Sequence, residues 1–316
     1  MITFLLRRFL TAIPVLLGVS ILVFSMLHLT PGDPVQLMLS GGGGGGSGGS
    51  QGASAEAVEA LRKELGFDRP IWEQYLTWMG NVLQGDLGRS IWSNQKVTEM
   101  IFAQIGSTIQ LTLAGLGIAI ILGIVLGIAA AMRPHSWFDT LTMGFASLGV
   151  SMPSFWLGLV LIYIFSLHFG WVPATGTGGV KRLILPAFTL GLEASAVIAR
   201  LVRSSMLEIM RQEYITTARA KGLRETAVVT RHALRNAMIP VITIVGLQFG
   251  ALLSGAVIIE TVFARQGIGR LTITAINGKD FPLVQGIILL VASIYVVVNL
   301  LTDLLYGFLD PKIRYE

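Results

Sequence analysis

The sequence predicts an all-α integral membrane protein with six transmembrane helices, a helical cytoplasmic loop and one larger extracytoplasmic loop. Composition is the first reason. The chain has 316 residues, of which 53% are hydrophobic and 13% charged, against about 25% charged in a soluble domain. The second is where the charges are missing. Uncharged runs cover Phe9–Leu27, Thr108–Met132, Thr140–Leu167, Asn236–Ile259 and Phe281–Thr302, each near or above the ~18–20 residues that carry a helix across a ~30 Å hydrocarbon core. Leu183–Ser204 is counted as a sixth span, although Glu193, Arg200 and Arg203 interrupt it. The third is the basic residues that remain. With six spans both termini share a face, and Arg7, Arg8, Arg133, Arg203, Arg211, Arg219, Lys221, Arg224, Arg231, Arg235, Lys312 and Arg314 fall on it. The short loops opposite hold only Lys181, Arg182, Arg265, Arg270 and Lys279. Positive charge marks the cytoplasmic side, so both termini are expected inside and the chain is expected to be multi-pass in the plasma (inner) membrane.

The elements follow in order. Residues 1–30 hold the cytoplasmic N-terminus and the first span, which is too long for a cleaved signal peptide. Residues 31–104 form an extracytoplasmic helical region with a glycine-rich tether at 41–50, whose lack of side chains favours flexibility. Ser54 is a suitable cap for a helix over 55–65. Pro70 suits the first turn of a second helix through Leu83, with Gly85 closing it. Ile71, Tyr75, Trp78, Met79 and Val82 give that helix one apolar face, read mainly as packing on the spans and secondarily as a docking face. Residues 105–316 are the core, with spans at 105–132, 138–167, 183–204, 236–260 and 281–305 and a loop at 205–235. Gly123 and Gly127 make a small-xxx-small pair that lets helices approach closely. Pro153 is expected to kink the third span, and Trp137 and Trp171 anchor its ends. Asn299 and Asp303 share a face of the last span.

The search for chemistry excludes more than it finds. No phosphate-binding loop and no His-Glu-x-x-His pair occur, and His28, His135, His168 and His232 are scattered. The chain has no cysteine, which removes disulfides and thiolate metal sites. The basic balance has no accompanying nucleic-acid motif. No catalytic, metal or cofactor residues are therefore expected. Glu193 lies deep in a span. A charge at the membrane centre costs roughly 2.5–3.5 kcal/mol on insertion scales, so it must face protein, water or a partner, as a transport-path element or a structural hydrogen bond.

The loop after the fourth span is the most informative segment. Leu207, Met210, Tyr214 and Ala218 recur at helical spacing, and Gly222 can take the left-handed conformation that ends a helix. A second helix over about 226–236 returns to the membrane. Ala218, Ala220 and Gly222 make a small-residue elbow flanked by Arg219, Lys221 and Arg224, suited to a partner's groove or, alternatively, to anionic lipid.

Glu213-Tyr-Ile-Thr-Thr-Ala-Arg-Ala-Lys-Gly222 with Ala233-Leu-Arg-Asn-Ala-Met-Ile-Pro240 resembles the cytoplasmic loop of ATP-binding-cassette importer permeases of the dipeptide/oligopeptide/nickel family. Leu29-Thr-Pro-Gly-Asp-Pro34, Gly85-Asp-Leu-Gly88, Ser151-Met-Pro-Ser-Phe-Trp-Leu-Gly158, Gly255-Ala-Val-Ile-Ile-Glu-Thr-Val-Phe263, Gly267-Ile-Gly-Arg270 and Leu309-Asp-Pro-Lys-Ile-Arg-Tyr315 extend the resemblance in the same order. It implies a permease subunit forming half of a pathway for peptides or a related small solute. The partners it implies are a second homologous permease, two ATPase subunits that bind ATP and Mg, an extracytoplasmic substrate-binding protein and membrane lipid, with no cofactor on this chain and no nucleic acid. Carried over by position, Glu213, Ala218, Arg219, Lys221 and Gly222 would contact the ATPase. Ser151, Pro153 and Phe155, with Glu193, would line or gate the path, and Gly267, Gly269 and Arg270 would lie at the outer mouth. A secondary transporter coupled through Glu193 would be supported by an inverted repeat, and a membrane hydrolase would need a nucleophile–base pair. The sequence shows neither. Dipeptides, longer peptides, glutathione-like molecules and metal chelates are not separated by this chain alone.

Overall fold

A bilayer offers no partner to an unpaired backbone group, so apolar runs long enough to cross it fold as helices. A computed structural model describes residues 2–29, 59, 62–63 and 68–309. The glycine tract at 41–50, most of the helix expected over 55–65, and segments 30–34 and 310–315 lie outside the described residues. Within them the secondary structure is helical apart from one isolated bridge, Arg89 with Lys96.

The helices are α1 (Ile2–Leu29), α2 (Ile71–Leu83), α3 (Val97–Met132), α4 (Trp137–Ser151) and α5 (Ser154–Leu161). The last continues as a wider π-helical stretch, Ile162–His168. Then come α6 (Lys181–Ile209), α7 (Glu213–Ala220) and α8 (Glu225–Ala227). A π-turn at Val228–Ala233 joins α8 to α9 (Leu234–Val262), followed by α10 (Ile268–Asn277) and α11 (Phe281–Leu309). Five helices are individually long and apolar enough to span, and a sixth span is reached if α4 and the α5 stretch count as one.

The third span departs from a simple kink. Its halves meet at 106°. Pro153 disfavours helical geometry in the residue before it. Met152 is accordingly extended, at φ −85° and ψ 129°, so the helix stops and restarts rather than bending.

Two compact units divide the chain. The larger is built mainly from Gly106–Arg270, with the end of α11 from Val297. Its centre is α6, which packs against α4, α5 and α9. The glycines of α3 explain how that helix reaches α6. A Cβ on Gly127 would fall 2.7 Å from the Ala199 carbonyl oxygen, and one on Gly123 2.6 Å from Ile198 Cγ2. On α6 itself, a Cβ on Gly191 would overlap the Gly115 carbonyl. The small-xxx-small pair thus serves packing within the chain. Toward the Ile209 end of α6, a bidentate pair joins Arg203 to Asp139 of α4, with Nε to Oδ1 at 2.5 Å and Nη2 to Oδ2 at 2.7 Å.

The second unit combines Leu6–Ile105 with Leu271–Val296. Asp280 is its polar centre. Its carboxylate accepts from Ser90 Oγ at 2.5 Å and from the Ile91 and Leu283 amides, capping α11. The start of α3 lies close against α11, where a Cβ on Gly286 would meet Val97 Cγ1 at 2.6 Å. In α2, Tyr75, Trp78, Met79 and Val82 are half-buried as expected of the apolar face, but Ile71 is exposed.

Candidate functional site

The 205–235 loop is a folded elbow. Helix α6 ends at Ile209, Met210–Gln212 turn, and α7 begins at Glu213. Leu207, Met210, Tyr214 and Ala218 are therefore split between two helices rather than striped along one. Their spacing continues across the turn without a glycine or proline to mark the break. Gly222 then takes φ +78°. Its amide donates to Arg219 O at 2.9 Å and the Leu223 amide to Ala218 O at 3.4 Å, the paired bonds of a Schellman ending. Arg219 reaches across to Glu225 in α8 through Nε at 3.1 Å and Nη2 at 2.6 Å. That bond raises the Arg219 pKa further above its ordinary value, although both side chains are about half exposed and the pair is screened. Asn236 Nδ2 donates to the Tyr214 hydroxyl at 2.8 Å, tying α7 to the foot of α9.

The elbow has an inside and an outside. Ile215 is fully buried and Ala218 only 7% exposed. They join one hydrophobic cluster with Val228, Val229 and Ala233 of the π-turn, Ile198, Val202 and Met206 of α6, and Ala237 and Val241 of α9. Ala218 was expected to present itself to a groove. It instead supports α7 from within, because it stands three residues after Ile215 on the same face. The outward surface carries Glu213, Arg219, Ala220, Lys221, Gly222 and Leu223. Among the described residues, nothing beyond its chain neighbours lies within 4 Å of a Cβ placed on Gly222.

Along α6 the sides separate as clearly. Ala194, Ser195, Ile198, Val202 and Met206 face the core, whereas Glu193, Arg200, Ser204 and Glu208 are exposed in one stripe. Glu193 is thus at the surface of this unit, with no hydrogen-bond partner among the described residues. Ser151, Pro153 and Phe155 are also exposed, at the break between α4 and α5.

Glu260 is a fully buried acidic residue, at 0% exposure, and in the sequence it is inconspicuous because it closes an uncharged run. Its Oε1 accepts from Thr108 Oγ1 at 2.6 Å, and its Oε2 from the amides of Gly269 at 2.8 Å and Arg270 at 3.2 Å. Thr108 Oγ1 in turn accepts from the Ile268 amide at 2.8 Å. A carboxylate is favoured at a helix N-terminus, here that of α10. Gly267 and Gly269 are required by its approach, since a Cβ on either would meet the carboxylate or Val257. The signal that could have found it is an acidic residue ending a span seven and nine residues before two glycines. Nearby Arg265 is 1% exposed. Its Nη2 donates to Gln110 Oε1 at 3.0 Å, and burial pushes its guanidinium pKa down against the opposing pull of the Glu260 charge. Among the described residues no group of three His, Asp or Glu gathers as a metal site.

Five or six apolar spans with a packed elbow between two of them define a polytopic helical membrane protein. Residues 123–315 match the family described as binding-protein-dependent transport system inner membrane component, and residues 1–112 match the N-terminal part of such components. The chain is 43% identical to the dipeptide transport system permease protein DppB of Alkalihalophilus pseudofirmus and 40% identical to the glutathione transport system permease protein GsiC of Escherichia coli strain K12, with both chains of each pair fully covered. A chain of the MetNI methionine ABC transporter in an inward facing form superposes with TM-score 0.58 at 17% identity, over 67% of this chain and 96% of that one. The chain belongs to the binding-protein-dependent transport system inner membrane component family. It is a multi-pass inner-membrane permease subunit of an ATP-binding-cassette importer, working with partner subunits, and ATP hydrolysis lies in separate chains.

Proposed function

We propose that this chain supplies one half of the translocation pathway for a peptide or related small solute, and that cytoplasmic ATPases drive it through the 205–235 loop. The relatives named for dipeptide and glutathione transport support that substrate range. The single observation that carries the coupling role is the shared core. Ile215 and Ala218 of α7 are packed into the same cluster as Val202 and Met206 of α6 and Ala237 of α9. A close-packed interior transmits displacement, so a push on α7 moves the adjoining ends of both spans. Nucleotide then shifts the balance between pathway states by its differential affinity for them.

In this reading both termini and α7 face the cytoplasm, where two ATPase subunits bind ATP and Mg. A second homologous permease completes the pathway, and an extracytoplasmic binding protein delivers solute near Gly267, Gly269 and Arg270. Glu193, Ser151, Pro153 and Phe155 face the pathway. The cost of setting a carboxylate against lipid supports that assignment for Glu193.

Gly222→Glu tests the reading. It is expected to insert normally, lose uptake and bind the ATPases weakly. Gly222→Asn tolerates the left-handed conformation and separates backbone strain from docking: it should retain more ATPase association. Normal uptake by Gly222→Glu would reject the coupling role.

A further inference from the structure

Helix α2 has a wider apolar side than its protein contacts cover. Glu73, Thr77 and Asn81 form its polar side. Next to them around the helix, Tyr75 and Trp78 pack on α1. The Phe24 ring lies 5.4 Å from Tyr75, edge-on, and 5.6 Å from Trp78. The Tyr75 hydroxyl and Ser20 Oγ are 2.8 Å apart, and His28 Nε2 is 3.2 Å from Gln74 Oε1. At 3.6 residues per turn, Trp72, Leu76 and Leu83 fall within about 40° of one another, beside that contact sector. They remain 63%, 60% and 81% exposed.

The contacts with α1 fix the depth of α2. The apolar span of α1 runs Arg8–Met26. Ser20 lies about 9 Å inside its Met26 end and Phe24 about 3 Å inside, at 1.5 Å per residue. His28 lies two residues beyond it. The Gln74–Trp78 turn therefore rides at the boundary between hydrocarbon and headgroups. At the same depth α1 leaves Ile21 and Leu22 exposed, an apolar surface that water would not favour.

We propose that α2 is an interfacial helix, with Trp72, Leu76 and Leu83 immersed in the leaflet at the Leu29 end of α1 and Glu73, Thr77 and Asn81 turned toward water. The partner is bilayer lipid. A wide apolar face bearing Trp, opposed by a polar one, is the pattern of helices lying in the membrane plane. The proposal rests on α1 crossing the bilayer and is independent of the solute and of the coupling loop.

The natural chain has no cysteine, so Leu76→Cys, Thr77→Cys and Asn81→Cys each give a single labelling site. Each variant, assembled with its partner subunits in phospholipid vesicles, would carry a nitroxide. Collision with dissolved oxygen would be compared with collision with a water-soluble nickel chelate. Oxygen is expected to dominate several-fold at Leu76, and the chelate at Thr77 and Asn81. Chelate access at Leu76 equal to that at Thr77 would put the helix in water and overturn the proposal. Shielding of Leu76 from both reagents would overturn it in favour of a protein cover.

Discussion

The Oε2 atom of Glu260 lies 2.8 Å from the backbone nitrogen of Gly269, so a carboxylate at the end of α9 closes the first turn of α10. Burying that carboxylate is costly, and three hydrogen bonds offset the cost. Glu260→Ala removes the acceptor for Thr108, Gly269 and Arg270 and should lower stability by roughly 2–4 kcal/mol. Glu260→Gln, which keeps one carbonyl oxygen, should cost less. Thermal unfolding of the detergent-solubilised protein ranks the two, and equal stability of Glu260→Ala and the parent would refute the capping role.

The glycines of the α3–α6 contact differ in what surrounds them. Gly191→Ala drives a methyl into the Gly115 carbonyl and should cost about 1–3 kcal/mol. Gly117 has nothing within 4 Å of its Cβ, so Gly117→Ala should be neutral or gain roughly 0.5–1 kcal/mol from helix propensity. Comparison of the two melting temperatures checks the packing directly.

Asp139 and Arg203 form a pair whose carboxylate side chain is only 5% exposed. Asp139→Asn and Arg203→Met should each destabilise by about 3–5 kcal/mol, since each strands its partner. The double variant should recover much of that loss. A double-mutant cycle that showed simple additivity would mean the pair is not coupled.

The membrane class was legible because span length and missing charge are properties of the residues themselves. The left-handed ending at Gly222 was legible for the same reason: glycine lacks the Cβ that opposes that conformation. The break between α6 and α7 was not, because helical spacing runs on from Met210 to Tyr214 while the chain turns. Pro153 announced an interruption, but its 106° depends on how both halves pack. Glu193 drew attention by standing inside an apolar run, whereas Glu260, tucked at the edge of one, did not. Its environment is made by the nearby Gly269 amide and by Thr108, which is 152 residues away in sequence.

Coupling through the elbow requires α7 to move as one body with the Ile209 end of α6. Spin labels on Thr217→Cys and Ser204→Cys, both exposed positions, would report the distance between the two helices in the assembled transporter. In a labelled transporter shown separately to support uptake, the distance distribution should be the same without nucleotide and with ATP trapped in the ATPases. A shift of about one helical turn, ~5 Å, between the two states would contradict rigid coupling.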